Sequence, residues 1–108
     1  MHRDEIIAKL RARTDAIRAF GVTALYLYGS AARDEIGEAS DVDLFADVDY
    51  GRFGFVPFMD LREFLTGILG REVDFTTRNG LHPDLKERIA GSAIKVFDNA
   101  TVDPVAAE

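Results

Sequence analysis

The chain has 108 residues, 47% hydrophobic and 30% charged, with a net charge of −6 and no cysteine. That length buries only about two thirds of the unfolded surface, enough for one core and too little for a second substrate domain. Disulfides and thiolate metal sites are excluded, and the acidic balance argues against direct binding to a nucleic-acid backbone, which needs clustered Lys and Arg. No apolar run approaches the roughly 18 residues of a membrane span. The charged, amphipathic N-terminus predicts no secretory leader, so a cytoplasmic protein is expected.

Residues 4 to 19 read as one amphipathic helix. Ile6, Ile7, Leu10 and Ile17 fall near one face, and Arg3, Lys9, Arg11, Arg13 and Arg18 lie largely outside it. Asp4 and Glu5 suit the positive end of the helix dipole. Gly21 then caps the helix. Thr23 to Tyr28 is near-continuously apolar, the pattern of a strand covered on both faces.

The run stops at Gly29-Ser30. Glycine allows a sharp turn and close approach of a ligand to backbone N–H groups. Ser30 is expected to cap a short helix over Ala31 to Glu35, ended by Gly37, and a helix start favours anions. Arg33 is placed either to reach such an anion or to pair with Asp34 or Glu35.

Asp41 to Asp47 is the second strand. Asp41, Asp43 and Phe45 share one face, and Val42, Leu44 and Ala46 the other. Two carboxylates projecting from one face suit Mg²⁺, which takes one or two carboxylates plus substrate phosphates. Asp47 and Asp49, farther along, read as loop-solvating.

Tyr50 to Gly54 is a loop and Phe55 to Leu69 a helix, with Phe58, Leu61, Leu65 and Ile68 near helical spacing and Gly70 as cap. Phe53, Phe55, Phe58 and Met59 read as core packing, with a partner patch as the alternative. Arg71 to Thr76 is a third strand, in which Glu72, Asp74 and Thr76 alternate with Val73 and Phe75. Asn79-Gly80 is a turn, His82 to about Ala90 a helix with Pro83 in its first turn, and Ala93 to Phe97 a final strand. Residues 1–97 are read as one domain and 98–108 as a disordered tail.

Gly29-Ser30, ten residues, then Asp41-Val42-Asp43 resembles the signature of the DNA polymerase β-like nucleotidyltransferase superfamily. The wider string, Gly29-Ser30-Ala31-Ala32-Arg33 with Ser40-Asp41-Val42-Asp43-Leu44, resembles its minimal nucleotidyltransferase (MNT) branch over roughly residues 5 to 97. The resemblance implies an α/β fold, a mixed sheet flanked by helices. It implies Asp41, Asp43 and Asp74 as catalytic, metal-binding carboxylates, with Glu72 a competitor for the third place. It implies Gly29, Ser30 and Arg33 on the triphosphate of ATP, and two Mg²⁺ ions.

Family members of this kind act as antitoxins of HEPN toxins, small helical RNases, by transferring AMP from ATP to a toxin tyrosine. A Mg²⁺-dependent protein adenylyltransferase antitoxin, forming a hetero-oligomer with a HEPN-type toxin, is therefore expected. The alternatives are an antitoxin that neutralises by binding alone and a small-molecule nucleotidyltransferase. Asp34 stands where many family members have glycine, and an acid there is expected to weaken nucleotide binding.

Overall fold

The computed structural model describes residues 2–35, 37 and 41–98. Ser40 and residues 99–108 of the expected tail lie outside the described residues, whereas Asp98, read as the first residue of that tail, is tied to the body by Arg18, which donates to Asp98 O at 2.8 Å, and by an ion pair with Lys95 at 2.9 Å. The order is α1 (Arg3–Arg11), α2 (Thr14–Arg18), β1 (Val22–Tyr28), α3 (Gly29–Ala32), β2 (Val42–Val48), α4 (Phe55–Leu69), β3 (Val73–Thr77), a 3-10 turn (Arg78–Gly80), α5 (Lys86–Ser92) and β4 (Ile94–Phe97). The strands form one mixed sheet in the order β3-β2-β1-β4. β1 runs antiparallel to β2 and β4, and β2 parallel to β3. This is the α/β architecture expected from the sequence.

One face of the sheet carries the apolar half of each strand. Leu25, Leu27, Val42, Leu44 and Ala46 are fully buried there against Ile6, Leu10, Ile17, Leu61 and Leu65. Burying each such leucine or isoleucine contributes about 1.5–3 kcal/mol, so this layer carries most of the fold's stability. α4 spans its predicted residues and ends on Gly70 in the left-handed region (φ 66°), whose N–H donates to Thr66 O at 2.8 Å.

The expected single helix over residues 4–19 is instead two. The Thr14 hydroxyl donates to Arg11 O at 2.8 Å and Arg13 N–H to Leu10 O, a tightened turn that breaks the ladder. The break leaves Leu10 and Ile17 both buried. α3 also starts and ends earlier than predicted, because Asp34 adopts φ 58°, which a helix cannot continue through. α5 begins at Lys86 rather than His82. The His82 ring accepts the Asp84 N–H at 3.2 Å, and Pro83 sits in a turn before the helix. Of the aromatic cluster, Phe53 is buried, and Phe58 packs on Phe53 and Phe75 at 6.2 and 5.3 Å, whereas Phe55 is 78% exposed.

Candidate active site

The opposite face of the sheet holds the polar half of each strand. Across β1 and β2, Tyr28 is the partner of Asp43 and Tyr26 of Phe45. Across β2 and β3, Asp43 is the partner of Asp74 and Phe45 of Thr76. Partners in a ladder share a face, so the Asp43 and Asp74 carboxylates rise side by side from neighbouring strands. Asp41, two residues before Asp43, is exposed at the start of β2.

Electrostatics record this convergence. The Asp43 carboxyl is pushed above its ordinary range by burial, then by the charges of Asp74 and Asp41, with Arg33 opposing. The neighbouring Tyr28 phenol is pushed up to about 12 by burial, then by Asp43 and Asp74. Like charges about 5 Å apart cost on the order of 3 kcal/mol at an effective dielectric near 20, a penalty a cation would reverse. Glu72, the competing acid, contributes to neither shift. It lines a groove with Asp41, Asp74 and Arg62.

Gly29 turns the chain at the end of β1 with φ 71°, and a Cβ there would lie 2.2 Å from Asp43 Oδ2. The glycine therefore serves two needs, the left-handed backbone and room for the carboxylate beside it. Ser30 does not cap α3 as expected. The helix starts two residues earlier, with Tyr28 in the cap position and no side-chain cap bond. Arg33 is exposed and paired with Glu35 at 3.0 Å, one of the two partners anticipated for it.

Asp34 points away from this cluster. Its carboxylate accepts the Arg3 N–H at 2.9 Å, at the start of α1.

Sequence reasoning missed the Asp47–Arg78 pair. Asp47 is not a loop-solvating residue. It accepts two bonds from Arg78, at 2.6 and 3.0 Å. The Arg78 guanidinium lies over Tyr26 and Phe45 at 5.1 and 5.0 Å, and those rings stack at 4.8 Å. The spacing Asp43-Phe45-Asp47 already put Asp47 on this face.

Among the described residues, no three His, Cys, Asp or Glu side chains stand close enough to hold one metal ion between them. The donor set still fits a hard cation. Asp43 and Asp74 are adjacent all-oxygen ligands, and Mg²⁺ commonly takes one or two carboxylates with substrate phosphates completing its shell. No helix among the described residues is long and apolar enough to cross a membrane.

The profile of the nucleotidyltransferase domain family matches residues 7–96. The chain belongs to this family. The nucleotidyltransferase is 38% identical over 77 residues to a provisionally named protein adenylyltransferase of Methanocaldococcus jannaschii, covering 71% of this chain and 82% of the relative. It is 30% identical over 94 residues to protein adenylyltransferase MntA of Thermococcus cleftensis, covering 86% and 94%.

A solved structure described as a minimal nucleotidyltransferase superposes with a TM-score of 0.77 at 32% identity, covering 87% of this chain and 95% of that one. A tri-AMPylated Shewanella oneidensis HEPN toxin in complex with its MNT antitoxin contains the same fold, with a TM-score of 0.59 at 16% identity and coverage of 90% and 76%.

Proposed function

We propose that this nucleotidyltransferase moves AMP from ATP to a tyrosine hydroxyl of a HEPN-type toxin, and so serves as the toxin's antitoxin. The observation that carries the reading is the Asp43–Asp74 pair on adjacent strands beside the Gly29 turn. It occurs in a chain related along 86% of its length to a protein adenylyltransferase. The HEPN partner is supported by the shared fold of an antitoxin seated on such a toxin. Drawing on ATP, the reaction belongs in the cytoplasm.

Asp41, Asp43 and Asp74 would hold two Mg²⁺ ions, which when bound neutralise the triphosphate and lower the pKa of the acceptor hydroxyl. Asp74 accepts the hydroxyl proton. The freed oxygen forms a bond to the α-phosphorus, and the bond from that phosphorus to the bridging oxygen breaks. Pyrophosphate leaves toward Gly29 and Ser30, where backbone N–H groups and the Ser30 hydroxyl bind it. Arg33 exchanges Glu35 for the departing phosphates. That exchange costs little, because an exposed pair is worth about 0–1 kcal/mol.

The test is incubation with labelled ATP, Mg²⁺ and the toxin encoded in the adjacent reading frame. Label should appear on a toxin tyrosine and vanish in the double variant Asp41→Asn with Asp43→Asn. Toxin neutralisation that persists in that variant without label would overturn transfer in favour of plain binding.

A further inference from the structure

The two edges of the sheet differ. On β4, Arg11 Nε donates to Val96 O at 2.8 Å, Arg11 also reaches Lys95 O, and Arg18 donates to Asp98 O at 2.8 Å. Those side chains occupy carbonyls that another strand would need. On β3, the Val42 N–H donates to Glu72 O, and Val42 is the register partner of Val73. In a parallel ladder the bonding residues alternate. Glu72, Asp74 and Thr76 therefore turn their backbone groups to β2, and Val73, Phe75 and Thr77 turn theirs outward. Among the described residues, the Thr76 hydroxyl donates to Thr77 O at 3.3 Å, a bond within the strand, and no neighbouring strand pairs with those outward groups. An open edge is a template for strand addition, which proteins ordinarily block.

A groove of about 280 Å³ runs along that edge, walled by Glu72 and the β3 residues Val73 to Phe75 on one side and by Phe58 and Arg62 of α4 on the other. It opens onto Asp41 and Asp74. A second groove of about 270 Å³ continues past Arg62 to Glu63 and Thr66. A strand edge facing a helix across a groove is the arrangement by which extended peptides are captured through main-chain bonds.

We propose that the outer edge of β3 receives the acceptor, as an extended basic segment of the partner that adds a fifth strand to the sheet. This rests on the function proposed above. Three considerations select that occupant. In-line displacement puts the attacking oxygen opposite the leaving group. With the pyrophosphate side at the Gly29 turn on β1, the attacker enters across Asp43 and Asp74, from β3. Added strands lie about 4.8 Å apart and send alternate side chains to one face, so a tyrosine in register with Asp74 stands beside its carboxylate. The groove walls carry Asp41, Glu72, Asp74 and Glu63 against Arg62 alone, which favours a segment bearing Lys or Arg.

The test is amide hydrogen exchange on the full chain, alone and with the partner toxin plus AMP-PNP. Binding is followed separately by calorimetry, and transfer by labelled ATP. The Val73 and Phe75 amides should slow by about tenfold or more in the complex. Thr77→Pro removes one outward N–H at a residue with φ −87°. It should raise KM for the toxin about three- to tenfold, the worth of one hydrogen bond, with kcat and ATP affinity unchanged. Should that variant fail to fold, the exchange result alone decides.

Binding and transfer with unchanged Val73 and Phe75 amides would overturn the docking mode and leave the function standing. Protection in the free chain that rises with concentration would assign the edge to a second copy instead. Absence of both binding and transfer would overturn the function and this inference together.

Discussion

The two faces of one sheet follow opposite rules. On the helical face, apolar strand residues meet apolar helix residues, and the local preferences of α4 agree with the fold to its last residue. On the open face, carboxylates stand side by side, Asp43 is half-buried among like charges, and the chain bends through φ 71° beneath it. The first face holds the molecule together. The second spends part of that stability on convergent charge, the usual compromise at a functional site.

The largest expected effect breaks the comparison at Asp43. Asp43→Asn should lower transfer on the order of a thousandfold, as for loss of a group that stabilises transition-state charge, yet raise Tm at pH 7.5. The sign follows from the raised folded-state pKa. Ionisation weakens the fold as pH climbs through that value, so the gain appears at neutral pH and vanishes below the unfolded value of 3.8. Thermal melts across pH check this, and Mg²⁺ with ATP should raise Tm of the wild type more than of the variant.

The helical face should behave in reverse. Leu44→Ala, at a fully buried position, should cost about 2–5 kcal/mol in denaturant melts. Activity per folded molecule should be unchanged.

Gly29→Ala tests both faces' logic at one atom. Its methyl would meet Asp43 Oδ2 at 2.2 Å in a left-handed backbone. We expect about 1–2 kcal/mol of strain together with a clear loss of kcat, read by melts and by label transfer. Smaller still is Arg78→Ala, expected to cost about 1 kcal/mol through the lost stacking on Tyr26 and Phe45 and the bonds to Asp47.

What was legible in the sequence was whatever followed a period. Alternation placed Asp41, Asp43 and Phe45 on one face, and spacing of three and four drew α4 to its last residue. Alternation with Val73 and Phe75 put Asp74 and Glu72 alike on the polar face of their strand, the family resemblance chose Asp74, and the parallel register with β2 sets Asp74 against Asp43. Side-chain bonds across the chain were not legible. Arg78 reaching back 31 residues to Asp47 and Asp34 turned toward α1 depend on tertiary neighbours that no local pattern encodes, while the Thr14 hydroxyl that splits the first helix is a local bond, to Arg11 O, that hydrophobic spacing does not register.

Asp34 gives the smallest and most discriminating case. An acid beside the triphosphate turn was expected to weaken ATP binding. In the fold its carboxylate accepts the Arg3 N–H at 2.9 Å and lies 3.8 Å from His2, joining the segment after the Gly29 turn to the start of α1. The Arg3 N–H holds the Asp34 carboxyl below its ordinary value, so its contribution is present above 3.8 and fades as pH falls through the folded value. Against that stands φ 58°, which glycine adopts without strain. Asp34→Gly should therefore leave Tm nearly unchanged, gaining backbone ease and losing the cap. Asp34→Ala keeps the strain without the cap and should lower it. Calorimetry should find ATP affinity equal in all three proteins. A marked rise in affinity on removing the acid would show that Asp34 acts on the open face after all, and that the Gly29 turn is not insulated from the helix beside it.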